Sequence, residues 1–115
     1  MMGPLNAADF HVLIVLAEGP SYGYAIMKAV DEHSGGAVSP EIGSTYRILS
    51  RLLDEGWIEE TEAPEGTKPG TRGLPRKYYA LTAEGRAVCG AESRRMARLV
   101  ELASERDLMP EGGTG

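Results

Sequence analysis

Apolar and polar positions along this chain repeat with two periods, close to 3.6 residues in the longer stretches and close to two in a pair of shorter ones. The first helical stretch runs from a cap at Asn6, with Asp9 three positions on, through Phe10 to Ala17, and stops at Gly19-Pro20. Phe10, Leu13, Ile14 and Ala17 form one face, while Val12, Val15 and Leu16 form another. In a domain this small, a helix apolar nearly all round is expected to have its second face covered by a partner subunit. His11, within this run, is expected to be a packed or rim residue. A second helix is predicted from Tyr22 to His33, capped by Ser21 and ended by Gly35-Gly36, with Tyr22, Ala25, Ile26, Ala29 and Val30 facing the core. Tyr24 and Lys28 share its outer face, where solvation explains them.

The third helical stretch organises the rest. Ser39 can cap it, Pro40 suits the first helical position, and Gly56 permits a left-handed stop before Trp57. Successive residues 100° apart put Ile42, Tyr46, Leu49, Leu52 and Leu53 on a packing side. Ser44, Arg47, Ile48 and Arg51 lie opposite. That outer face is short, polar and basic, and a hydroxyl beside two guanidinium groups suits base edges and phosphates. Helix, turn and helix are followed by a change of period. Trp57 to Glu62 and Arg76 to Leu81 read as strands, joined by a long glycine- and proline-rich tip. A last helix is predicted from about Ala83 to Leu108 behind a Thr82 cap. Its stripe of Val88, Cys89, Ala91, Met96, Leu99, Val100, Leu102 and Ala103 is interrupted by Glu92, Arg95 and Arg106, a pattern that suits a helix pair with crossing ion pairs. The tail from Pro110 is expected to be disordered.

Composition changes this picture little. The 115 residues allow one domain, and 42% hydrophobic with 25% charged residues describes a folded chain. No apolar run reaches the ~20 residues of a membrane span, and no secretory signal is visible, so a cytoplasmic location is expected. One cysteine allows no internal disulfide, and Cys89 is expected to be a packing thiol. His11 and His33 are too few and too far apart for zinc, so no metal and no other cofactor is expected. No nucleophile has a base placed near it by sequence, so an enzyme is not expected. The net charge of −5 argues against nucleic acid only as an average. From Gly66 to Leu81 the chain carries Lys68, Arg72, Arg76 and Lys77 and no acid, and DNA responds to local potential within about 8 Å. A hairpin with a basic tip directly after a helix-turn-helix fits a DNA-binding wing.

Three blocks resemble the PadR-like transcriptional regulators. Tyr22-Gly23-Tyr24-Ala25-Ile26 is similar to the family's second-helix signature. Gly43 to Leu52, continued by Glu55-Gly56-Trp57-Ile58-Glu59, resembles its recognition helix and exit. Leu74 to Gly85 resembles its wing strand and the start of its last helix. The resemblance implies a mainly α winged helix-turn-helix with a small two-stranded β wing and a long C-terminal helix, in the short subgroup with a single helix after the wing. It implies division into a DNA-binding unit at 1–82, a dimerisation helix at 83–108 and a tail at 109–115. It also implies a homodimer, joined through the first and last helices, that represses transcription at a palindromic operator in double-stranded DNA and is released by a hydrophobic small molecule.

Ser44, Thr45 and Arg47 are then expected at base edges. Tyr46, Arg51, Arg72, Arg76 and Lys77 are expected at the backbone, with the Tyr46 ring packed and its hydroxyl on a phosphate. Two rival readings share the pattern. One is a ligand sensor with a pocket at the dimer seam near Trp57 or Phe10, and the other a winged-helix module that binds protein.

Overall fold

A computed structural model describes residues 5–67 and 77–110. Among these, four helices and three strands follow in the order α1 (Ala7–Ala17), β1 (Ser21–Tyr22), α2 (Gly23–His33), α3 (Ile42–Asp54), β2 (Ile58–Thr61), β3 (Tyr78–Leu81) and α4 (Ala83–Glu105). The strands form one antiparallel sheet in the order β1-β3-β2. The expected two-stranded wing thus has a third strand. Ser21 pairs with Tyr79 and Tyr22 with Tyr78, and the Tyr22 and Tyr78 rings meet at 5.4 Å between centroids. Ser21 consequently extends the sheet and does not cap α2, whose N-cap is Tyr22, a residue whose side chain makes no capping bond to the helix start.

Local chemistry sets most of the other ends. The Asn6 side chain accepts the Asp9 backbone N–H at 2.8 Å to open α1. Gly35, Gly36 and Gly56 all adopt the left-handed backbone that stops the second and third helices. Thr82 caps α4 by accepting the Gly85 N–H at 3.0 Å, and its hydroxyl donates to the Gly56 carbonyl at 2.7 Å. Gly85 is required for the same junction, because a methyl group there would lie 2.8 Å from the Trp57 carbonyl carbon and 2.9 Å from Leu81 Cδ1.

The core joins Val12, Leu13, Val15 and Leu16 of α1 to Ile26 and Val30 of α2, to Ile48, Leu49 and Leu52 of α3, and to Trp57, Ile58 and Tyr79. Each large aliphatic side chain so placed contributes about 1.5–3 kcal/mol. This corrects the reading of α1. Val12, Val15 and Leu16, assigned to a partner from the sequence, are buried within one copy, because α1 is the central helix and packs against α2 on one side and α4 on another. Phe10 and Ile14 are the half-buried remainder, and Ala17 is exposed.

The first half of α4 packs Val88 and Cys89 onto the core, whereas Leu99 and Val100 further along remain exposed. Glu92 does not cross to another helix among the described residues. It is nearly buried, and Arg95 of its own helix donates to its two carboxylate oxygens at 2.9 and 2.6 Å, holding the carboxyl below the usual range. No helix among the described residues is long and apolar enough to cross a membrane.

Candidate nucleic-acid interface

Two helices and the turn between them position the candidate residues. The Ser34 hydroxyl accepts the Val38 N–H at 2.9 Å and so folds the segment after α2 back toward α3. α3 then begins at Ile42, with Glu41 as N-cap, because the Glu41 carbonyl accepts the first helical bond from the Thr45 N–H at 2.9 Å. Ser39 and Pro40, expected at the cap and first turn, precede the helix and line an open groove against Met27, Lys28, Asp31 and Glu32 of α2.

The buried face of α3 is Thr45, Ile48, Leu49 and Leu52. It shares Leu49 and Leu52 with the face read off the wheel but is turned from it by roughly 65°. Ile42 and Tyr46, placed on the packing side from sequence, are 41% and 49% exposed. Ile48 was assigned to the outer face and is buried. Thr45 is the clearest loss from the candidate set. Its side chain is 0% exposed and its hydroxyl donates to the Glu41 carbonyl at 3.0 Å, so it has neither the access nor a free proton for a base edge.

The outer face carries Ser44, Tyr46, Arg47, Ser50 and Arg51. Arg47 is exposed and donates to the Ser44 hydroxyl at 2.9 Å, which orients the guanidinium along the helix without neutralising it. The Tyr46 ring lies against Gly23 at the start of α2, where an added methyl would come within 2.6 Å of its Cζ. The ring therefore leans on the α2 backbone at a site only glycine leaves open, and half of its surface faces outward. Arg51 differs from Arg47. It is ion-paired to Asp9 of α1, a residue only 6% exposed. Asp9 was read from sequence as part of a helix start, and a partner 42 positions away leaves no local signal.

In the wing, Lys77 precedes β3 and its ammonium lies 3.3 Å from Glu60 of β2, both side chains being more than half exposed. Lys68, Arg72, Arg76 and most of the expected wing tip lie outside the described residues, as does the tail at 111–115. Tyr79, opposite Glu60 in the sheet register, is buried, and that burial pushes its hydroxyl pKa up against the opposing pull of Lys77. Tyr24 and Lys28 lie on the exposed side of α2, with the ammonium 5.8 Å from the ring centre. Among the described residues, no group of three or more His, Cys, Asp and Glu is placed to hold a metal ion.

Comparison with known proteins gives this arrangement its context. A curated relative, an uncharacterized 37.1 kDa protein in transposon TN4556 of Streptomyces fradiae, is 36% identical over 94 residues, covering 82% of this chain but 24% of its own length. A PadR family transcription regulator from Clostridium difficile R20291 has the same fold, with a TM-score of 0.71 at 24% identity over 87% of this chain and 97% of its own. Bacillus subtilis PadR, solved in complex with operator DNA, superposes with a TM-score of 0.61 at 29% identity over 75% of this chain and 46% of its own. The model of the transcriptional regulator PadR-like family matches residues 12–91, which include the second half of α1, all of α2 and α3, the described strands and the first part of α4; the chain belongs to that family.

Proposed function

We propose that this chain is a homodimeric, sequence-specific DNA-binding repressor. The observation that carries the reading is the chemistry of α3. One side of the helix is sealed into the core by Thr45, Ile48, Leu49 and Leu52, and the other presents Ser44, Tyr46 and Arg47. No acidic residue stands between Ile42 and Leu53. Such a face offers two hydroxyls and a cation to an anionic groove and nothing that repels it. Arg47 is assigned to a base edge, Ser44 to support it, and Tyr46 to a phosphate. Lys77, with Arg72 and Arg76, would bring the wing to the backbone. The operator DNA bound to Bacillus subtilis PadR supports DNA binding by relationship.

Residues 1–82 would form the DNA-binding unit and α4 the dimerisation helix. Exposed Leu99 and Val100, with Leu108 and Met109 beyond the helix end, supply apolar surface for a second copy, and half-buried Phe10 and Ile14 extend it onto α1. A two-fold dimer reads half-sites about one helical turn, ~10 base pairs, apart. Release by a hydrophobic small molecule at that seam is supported by the family resemblance, and a titration of aromatic compounds followed by Trp57 emission tests it.

The test of the DNA assignment is selection of bound duplexes from a random pool, followed by fluorescence anisotropy on single-position variants. Arg47→Ala is expected to weaken the selected site by about 1–3 kcal/mol and relax one position. Equal losses on every sequence would refute its base-reading role. A reporter placed behind the selected site separates repression from activation.

A further inference from the structure

We propose that Asp9 is a positioning residue that withholds Arg51 from the DNA backbone, lowering affinity for arbitrary sequence so that recognition depends on Arg47 and its neighbours. The proposal rests on the DNA-binding reading above. α3 carries two cations, Arg47 and Arg51, one turn apart on the same side. By sequence they are equivalent. In the structure they are not, because Arg47 donates to a neutral hydroxyl and Arg51 to a carboxylate.

The carboxylate is what makes the tie hard to exchange. Asp9 is 6% exposed, sits in the first turn of α1 and is held there by the Asn6 cap on its own N–H. If Arg51 swung to a phosphate, it would leave a nearly buried carboxylate without its partner, and close to more negative charge. The Lys77–Glu60 pair provides the internal contrast. Both its side chains are more than half exposed, so it opens at little cost and Lys77 can move to a phosphate. The expectation is therefore that the buried partner, and not the mere presence of an acid, decides which cations count toward DNA. The same bond ties α3 to α1, a helix it otherwise touches little, and α1 is the helix on which α4 packs. Asp9 thus also links α3 to the helices proposed above to join the dimer.

The experiment measures the salt dependence of binding to a labelled duplex of arbitrary sequence. It uses the full chain and the variants Asp9→Asn, Arg51→Ala, Asp9→Asn/Arg51→Ala, Arg47→Ala and Lys77→Ala, each checked for native circular dichroism. Each phosphate contact contributes about 0.9 to the slope of log affinity against log salt. Asp9→Asn frees a guanidinium and is expected to steepen the slope by about one and to tighten binding roughly three- to tenfold at about 50 mM salt. Arg51→Ala is expected to leave the slope unchanged, and the double variant to return it to the parent value. A purely structural role for the pair would weaken binding in all three and steepen none. An unchanged slope in Asp9→Asn, or a slope reduced by about one in Arg51→Ala, overturns the proposal. A slope reduced by about one in Lys77→Ala establishes independently that the DNA reading holds, and Arg47→Ala, at a base-reading position, is expected to leave the slope on this duplex nearly unchanged. If the parent chain shows no salt-dependent binding, that reading fails and this proposal falls with it.

Discussion

Gly85→Ala should destabilise this protein even though alanine is the better helix former. In an open helix the substitution would gain about 1 kcal/mol. At Gly85 the new methyl would stand 2.8 Å from the Trp57 carbonyl carbon, 2.9 Å from Leu81 Cδ1, and closer still to the Trp57 oxygen. That oxygen is fixed, because it accepts the Thr82 N–H at 3.0 Å, while the Thr82 hydroxyl holds the neighbouring Gly56 carbonyl. α4 must therefore move away from the start of the wing. Overpacking of this kind costs about 1–3 kcal/mol, and weakening one hydrogen bond adds about 1 kcal/mol. Against the propensity gain, a net loss of about 2 kcal/mol is expected. Gly90→Ala is the matched control in the same helix, where a methyl meets only the Arg94 guanidinium at an ordinary 3.7 Å. It should stabilise by up to about 1 kcal/mol. Urea titrations followed by circular dichroism at one fixed protein concentration would give both values, with melting temperatures shifting in opposite directions by roughly 4 °C or more per kcal/mol. If Gly85→Ala is as stable as Gly90→Ala, α4 does not meet the Trp57 carbonyl as described.

Three further outcomes are expected. Thr82→Val removes both the α4 cap and the bond to the Gly56 carbonyl, and should cost about 1–2 kcal/mol in the same titration. Arg95 lowers the pKa of Glu92, so the pair's stabilisation is complete above the ordinary carboxylate value and is lost as pH falls through the lowered one. The difference in melting temperature between the parent chain and Glu92→Gln should therefore close as the pH is taken down below the ordinary carboxylate range, and a constant gap would refute the ion pair as its source. Burial pushes the Cys89 thiol up, with Arg86 pulling weakly the other way, so iodoacetamide should modify it slowly at neutral pH and rapidly once the chain is unfolded.

Much of the fold was legible because it is written in local chemistry. Asn6, Thr82, Gly35, Gly36 and Gly56 act on their own neighbours, and each ends or begins an element where the sequence placed it. β1 was not legible. Two residues carry no period, and Ser21 also looks like a cap; only its pairing with distant Tyr79 makes it a strand. The rotation of α3 has a similar origin. A wheel ranks faces by hydrophobicity, yet the packed neighbours choose the face, and α2 and β2 chose the one with Ile48 and a self-satisfied Thr45 over the one with Ile42 and Tyr46. Thr45 could be buried because its hydroxyl needed no outside partner.

The candidate interface was legible in residue type but not in availability. Arg47 and Arg51 are the same residue on the same side of one helix, and no local pattern separates them. What separates them is an acid 42 positions away, contributed by a helix whose own sequence reads as apolar. Burial then converts a pairing into a commitment. An exposed pair such as Lys77 with Glu60 holds its cation weakly, and a phosphate can replace the carboxylate with little loss; a pair with one member in the core cannot be exchanged without stranding that charge. In a chain with a net charge of −5, the field a DNA duplex meets therefore depends less on how many basic residues the sequence carries than on how deeply the acids beside them are buried.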